Sequence, residues 1–248
     1  MLDPNTPVYL INLDRSPRRL KHMQKHYHWE NFIRFPAIDG RQWTRKKYLR
    51  RKAPSARLKW IPRERQRMVD EKIIDPVCRL GPNQVACALS HAAIWKEQVE
   101  KNLPMVIIME DDTQPSKHYT DKLTNLISMP PDTDVLMLHD TSELDDEMGI
   151  LDGYGLFGYV LTLNAAKNAL LAQFPILDPV DIQWWHRSFH KMDAPYYPFP
   201  AIERVKARRH DPPLVEYSIM YKFSAIGEKC DCTYCVLWEE KQRLLKEK

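Results

Sequence analysis

Three adjacent carboxylates, Glu110-Asp111-Asp112, are the residues of this chain best suited to chemistry. They follow an apolar run, Met105-Val106-Ile107-Ile108-Met109, and so mark the end of a buried strand. Three like charges in a row repel, and a hard cation among them relieves the repulsion. Oxygen-only ligands suit Mg²⁺ or Mn²⁺ better than zinc. Acids also mark the plain exit of a strand into solvent, and spacing alone leaves both readings open. A second cluster, Cys230-Asp231-Cys232-Thr233-Tyr234-Cys235, offers three thiolates that a fourth ligand, Cys78, Cys87 or His210, would complete into a zinc site. It lacks the two separated C-x₂-C pairs of a zinc ribbon.

Other motifs argue by failing. Gly153-Tyr154-Gly155-Leu156-Phe157-Gly158 fits G-x-G-x-x-G. Its glycines lead into a strand instead of out of one into a helix, so they read as a close backbone approach and not a dinucleotide loop. The chain has no G-x-x-x-x-G-K-[ST] and no H-E-x-x-H, which disfavours P-loop enzymes and that class of zinc hydrolase. Ser90 and His91 are neighbours in sequence and cannot face each other on a helix as nucleophile and base.

The elements that must position these groups alternate. Val8–Leu13 is β-branched and apolar and reads as a buried strand. Ser16 then offers an N-cap and Pro17 a first helical position, for a basic helix to about His28. Phe35–Gly40 reads as a short strand closing in an Asp-Gly turn. Gln84–Lys101 is helical, capped by Asn83, with Val85, Leu89, Ala92 and Val99 as its apolar stripe and Ser90 and His91 off it. Met105–Met109, Asp134–Asp140 and Phe157–Leu163 are further strands, and Asn164 caps a helix over Ala165–Phe174. Strands alternating with helices predict an α/β sheet whose ligands gather at the carboxyl ends of its strands.

Charge is distributed unevenly. The net charge is +4, yet residues 41–67 hold twelve Lys/Arg and one acid, and outside them 25 basic residues face 32 acidic ones, a net of −7. The chain is thus an acidic domain with a basic insert. That insert reads either as a solvated face or as a docking surface for a polyanion, with Trp43, Tyr48 and Trp60 available to stack on bases or sugars. Only 7 of the 248 residues are glycine, against 19 prolines. Five cysteines cannot all pair within one chain. Neither a signal peptide nor an apolar stretch of membrane-spanning length is visible, and a cytoplasmic setting, free or at a membrane face, is expected.

Taken in order, five stretches resemble glycosyltransferase family 25, the group of lipopolysaccharide-type and collagen galactosyl-type transferases. They are Val8–Arg15 with Pro17-Arg18-Arg19-Leu20, Phe35–Gly40, Ala86–His91 with Trp95, Ile107–Asp112, and Gly158–Thr162 with Ala165-Ala166-Lys167. Pro212–Val215 matches a late segment more weakly. Gly81–Cys87 departs from the family's usual Gly-x-Ile/Val-Gly-Cys, the basic insert is larger than usual, and the Cys230–Cys235 tail is not a family hallmark. The resemblance implies an α/β, GT-A-like fold: a Rossmann-like mixed sheet with flanking helices. It would form a single domain over 1–225 with the basic insert at 41–67, followed by a tail over 226–248. It implies a nucleotide-sugar donor, UDP-sugar first, Mn²⁺ or Mg²⁺, and an inverting mechanism. Asp111 and Asp112 would be metal ligands, Asp112 the direct one, with Glu110 turned to the ribose or donor sugar. Asn12, Asp14, Asp39 and Gly40 would hold the nucleoside and Arg18 or Arg19 a phosphate. Asp181, His91 and Asp140 are candidates for the base, Asp181 first because it follows Pro179 beyond the last family-like helix. The acceptor expected first is a lipo-oligosaccharide or other phosphorylated glycan at the basic insert. DNA bearing hydroxymethylated bases comes second, protein hydroxyls third, and an inactive nucleic-acid-binding module is the reading from another class.

Overall fold

The computed structural model describes residues 1–27, 32–42, 82–139, 155–174, 176, 179–184 and 207–217. Strand β1 (Val8–Asn12) lies between β2 (Phe32–Pro36) and β3 (Met105–Glu110), parallel to both. Beyond β3 the sheet changes sense: β6 (Gly158–Thr162) is antiparallel to β3 and to β5 (Val135–Met137), and β7 (Ala207–Arg209) runs parallel to β5. The order is β2-β1-β3-β6-β5-β7, and β4 (Thr113–Pro115) pairs with β8 (Val215–Tyr217) in a separate two-stranded sheet. The chain thus has the expected α/β architecture, a mixed sheet flanked by helices.

Helices cover both faces because every strand of the centre is apolar on both sides. Tyr9, Ile11, Val106, Ile108, Tyr159 and Leu161 pack against α2 (Pro82–Glu100), α4 (Leu163–Gln173) and α5 (Val180–Trp184). The alternate residues Val8, Leu10, Ile107, Met109 and Val160 pack against α1 (Pro17–His26) and α3 (Leu123–Leu126). The period of two along each strand decides which layer a side chain joins. On the first face Trp95 and Trp184 are fully buried with ring centroids 5.1 Å apart. Gln98 Nε2 donates to the carbonyls of Leu103 (3.3 Å) and Leu161 (3.1 Å), which ties the end of α2 to the sheet.

Several boundaries differ from the sequence reading. Pro17 does open α1, but Ser16 makes no side-chain cap and the helix stops at His26. Asn83 lies inside the first turn of α2 instead of capping it. Thr162, not Asn164, caps α4: its Oγ1 accepts from Ala165 N–H at 3.2 Å. Ser90 and His91 are not on an open face of α2 but among its most buried residues. The reason is that α2 is clasped from several sides, by the turn after β2, by β1 and by α4 and α5, so a one-stripe reading cannot describe it. No helix among the described residues is long and apolar enough to cross a membrane.

Candidate active site

The parallel strands β1, β2 and β3 end on the same side of the sheet, and the polar residues of this chain collect there. An open cleft is lined by Arg15, Arg19, Asp39, Gly40, Asn83, Cys87, Ser90 and Glu110-Asp111-Asp112, with Ile11, Leu13, Ala37 and Ile38 as its apolar wall. β3 delivers the acids, the link from β1 into α1 the arginines, and α2 lays Asn83, Cys87 and Ser90 along the far side.

The two aspartates look alike in sequence and differ in surroundings. Both oxygens of Asp111 have a partner: Oδ2 accepts from Asn12 Nδ2 at 2.6 Å and Oδ1 from Arg19 Nη1 at 2.8 Å. Asp112 meets the same Arg19 nitrogen only at 3.4 Å through Oδ2, and its Oδ1 is buried with no hydrogen-bond partner. A buried acceptor left unpaired costs about 1–3 kcal/mol, so such an atom is unusual in a folded core. Burial first, then the charges of Glu110 and Asp111, push the Asp112 carboxyl up to about 8, with Arg19 and the residue's own backbone N–H opposing. Glu110 is also pushed up to about 8, by burial and then by Asp111 and Asp181. The unpartnered carboxylate oxygen of Asp112 is the one in this cleft with the chemistry to hold a hard divalent cation.

Glu110 ends a buried chain of hydrogen bonds. Trp95 Nε1–H donates to Tyr159 Oη (3.0 Å), Tyr159 Oη lies 2.8 Å from His91 Nδ1, and His91 Nε2 lies 2.9 Å from Glu110 Oε1. His91 is fully buried, and burial lowers its pKa to about 4 against the opposing charge of Asp181, so the ring is neutral near pH 7. A neutral imidazole has one donor and one acceptor. With Glu110 ionised, Tyr159 donates to Nδ1 and Nε2–H donates to the carboxylate. With Glu110 protonated, the last two links reverse.

The remaining predicted residues divide by position. Asn12 is buried and occupied on every side: besides Asp111 it donates to the Ser16 carbonyl (3.2 Å) and accepts from Arg34 Nε (2.9 Å). Its place is to hold Asp111. Arg19 is buried on the face of α1 that also carries Met23, whereas Arg18, one residue earlier, is exposed. Asp14 is exposed and pairs with Arg34, away from the cleft lining. Asp39 lines the cleft, accepting from Arg15 Nε (2.8 Å) and Arg41 N–H (3.0 Å). Gly40 has no space for a side chain: a Cβ there would overlap the Pro82 carbonyl. Ser90 Oγ accepts from Ile38 N–H (2.9 Å) while donating to the Ala86 carbonyl (2.8 Å), so α2 shapes the wall before Asp39. Asp181 Oδ2 accepts from Gly155 N–H at 2.9 Å, and its charge is felt at His91, Glu110 and Cys87. Gly155 sits at φ +96° under the Phe157 ring, in keeping with the close backbone approach expected before the strand.

Asp140, residues 43–67 of the basic insert and the Cys230–Cys235 cluster lie outside the described residues. Of the zinc partners considered for that cluster, His210 faces the carbonyls of Pro212 (2.7 Å) and Leu126 (3.2 Å), and Cys87 lies in the cleft. Sequence reasoning did not place Tyr159, Arg15, Asn83 or Cys87 in the site. Tyr159 sits inside an apolar strand and carried no local signal.

The family described as "Glycosyltransferase family 25 (LPS biosynthesis protein)" matches residues 5–148, which include the acidic turn, α1 and α2. Two insect proteins named "Glycosyltransferase 25 family member" are similar. The one from Anopheles gambiae is 26% identical over 193 residues, 70% of this chain and 30% of that protein. The one from Drosophila melanogaster is 25% identical over 191 residues, covering 70% and 29%. A Bos taurus protein named "Probable inactive glycosyltransferase 25 family member 3" is 27% identical over 110 residues, 38% of this chain and 18% of its own. The chain therefore spans under a third of the length of these relatives. Among solved structures, a glycosyltransferase involved in the glycosylation of the major capsid of PBCV-1 aligns over 84% of this chain and 82% of its own, with 12% identity and a TM-score of 0.41. With more than half of its length matched, and the acidic turn inside the match, the chain belongs to glycosyltransferase family 25.

Proposed function

We propose that this chain moves a sugar from a nucleotide-sugar to an acceptor hydroxyl with inversion, assisted by Mn²⁺ or Mg²⁺ at Asp112. The observation that carries the reading is the unpartnered, buried Asp112 Oδ1 in a cleft at the shared ends of parallel strands. In the reaction the acceptor oxygen bonds to the anomeric carbon as the bond from that carbon to the β-phosphate oxygen breaks, and the nucleoside diphosphate leaves. A bound divalent cation would neutralise the charge developing on that leaving group. Arg15 and Arg19 bring positive charge to the same cleft. Asp39, Gly40 and the start of α2 form the wall for the nucleoside.

The acceptor's proton needs a base. Both ring nitrogens of His91 are engaged inside the core, so its role is to orient Glu110 toward the donor. Asp181, at the start of α5 and close enough to influence both, is the base we assign. Asp111 holds Arg19 and Asn12 in place, with one partner on each oxygen, and of the two aspartates expected as ligands Asp112 is the one we assign.

The favoured acceptor is an anionic glycan or lipo-oligosaccharide, met from the cytoplasmic side of a membrane. The basic insert follows Gly40 directly in sequence, so its twelve cations are tethered to the cleft wall. The same cations, with Trp43, Tyr48 and Trp60, favour hydroxymethylated DNA as the second reading. The test is a panel of nucleotide-sugars with Mn²⁺, with and without hydroxymethylcytosine-containing DNA, run alongside Asp181→Asn. Donor turnover that ignores DNA and falls in the variant supports the glycan reading. Stimulation by DNA moves the acceptor to nucleic acid. No donor turnover under any condition overturns the proposed activity.

A further inference from the structure

Asp112 is not the only group in the cleft with the makings of a cation site. Cys87 and His91 lie one turn apart on α2, and Glu110 ends the strand that faces them. Cys87 Sγ, a ring nitrogen of His91 and a carboxylate oxygen of Glu110 all lie within 4.8 Å of one another. Ligands around a tetrahedral zinc ion, with bonds of about 2.0–2.3 Å, sit about 3.3–3.8 Å apart. Small side-chain adjustments bring the group to that geometry. The supports are rigid: a 19-residue helix and the central strand β3. The ring is already aimed, since Tyr159 holds Nδ1 and leaves Nε2 directed at Glu110, the kind of outer partner that ligating histidines keep. Cys87 is a free thiol, and it and Glu110 line the cleft, which gives an ion a way in and leaves a fourth position open.

We infer that Cys87, His91 and Glu110 form a second cation site on the cleft floor, one that takes a borderline ion such as Zn²⁺ and rejects Mg²⁺ and Mn²⁺. A sulfur and an imidazole nitrogen select against hard cations, whereas the carboxylate oxygens of Asp112 select for them. On binding at neutral pH, Zn²⁺ displaces two protons to solvent, that of the Cys87 thiol and that of the Glu110 carboxyl; the His91 ring keeps its own proton on Nδ1, donated to Tyr159 Oη, and two metal bonds replace the His91–Glu110 hydrogen bond. Glu110 is then withdrawn from the donor side, so occupation inhibits. This inhibitory half rests on the proposed transferase activity, and the binding half does not.

The two are separated by reading binding without turnover. A chain with Cys78, Cys230, Cys232 and Cys235 changed to serine keeps Cys87 as its only thiol. Titrated with Co²⁺, it should show at one equivalent a thiolate-to-cobalt charge-transfer band and the intense visible bands of four-coordinate cobalt. Zn²⁺ should erase both, and a hundredfold excess of Mg²⁺ should not. Adding Cys87→Ser should abolish the charge-transfer band. In the unaltered chain, mass mapping of alkylated peptides should show Zn²⁺, and not Mn²⁺, slowing modification of Cys87 at least fivefold, which keeps the test valid if the four-serine chain misfolds. Absence of both the band and the protection overturns the site. If both appear but Zn²⁺ leaves donor turnover unchanged, the site stands and inhibition is overturned; if no donor is turned over at all, the transferase reading alone fails.

Discussion

The two halves of the central sheet use the same building material to opposite ends. In the parallel half, β2-β1-β3, the carboxyl ends of the strands coincide, and Asn12, Asp39 and the acidic turn meet around one cleft. In the antiparallel part, β3-β6-β5, neighbouring ends point opposite ways, and Val160, Leu161 and Leu136 are buried core with no shared rim. The change of strand sense at β3 is therefore a boundary between a half that gathers charge and a half that supplies stability. β3 belongs to both, and Tyr159 reaches across from the second half to steady the first.

The sharpest way to break this contrast is Asp112→Ala. Removing the proposed ligand should cost about 10³-fold in transfer, or about 4 kcal/mol of transition-state stabilisation, with no loss of the cooperative unfolding transition. Unchanged turnover would remove Asp112 from the chemistry. Leu136→Ala should do the reverse: about 3 kcal/mol of stability lost in urea titrations, with transfer per folded molecule retained. A parallel loss of turnover per folded molecule would show that the halves are not separable. Tyr159→Phe should fall between them. It strips an oxygen from Trp95 and His91 together, so about 2 kcal/mol of stability should go, and kcat should drop more than KM changes as Glu110 loses its orientation. An effect on stability alone would confine Tyr159 to the core.

The smallest expected effect is a slope. Glu110 and Asp112, pushed up to about 8, keep protons in the folded protein that their unfolded counterparts, at 4.5 and 3.8, have already released. The folded state then binds more protons, and stability falls as pH rises toward 8. His91, lowered to about 4 from 6.5, contributes the opposite slope, but only below 6.5. Between pH 6.5 and 8 the carboxylates dominate, so urea midpoints should decline. Asp112→Asn should flatten the decline, and a flat profile in the unaltered chain would show that the acidic turn is not charge-stressed.

Much of this was legible in the sequence, for identifiable reasons. β1 and β3 stand out because strands buried on both faces are continuous apolar runs. The acidic turn is visible because three adjacent carboxylates concentrate more like charge than a strand needs in order to leave the core. What spacing could not give was rank among neighbours. Arg18 and Arg19 are equivalent as letters, and only the burial of the Arg19–Met23 face of α1 selects one. Asp111 and Asp112 are distinguished by partners contributed from β1 and α1, distant in sequence. His91 and Ser90 were misplaced on α2 because a helix clasped from several sides has no single stripe to read. Tyr159 was invisible because an aromatic in a strand is ordinary, and only the juxtaposition with His91 and Trp95 gives its hydroxyl a purpose.

The crowding of Gly40 against Pro82 has a consequence for how this chain can vary. Gly40 and the opening of α2 are distant in sequence, yet no Cβ fits between Gly40 and the Pro82 carbonyl. Such a contact closes a circuit of chain, and the entropy of closing a circuit grows only with the logarithm of its length. The length of chain between the two points can therefore change at little expense to the contact, whereas any side chain at Gly40 forces the two apart.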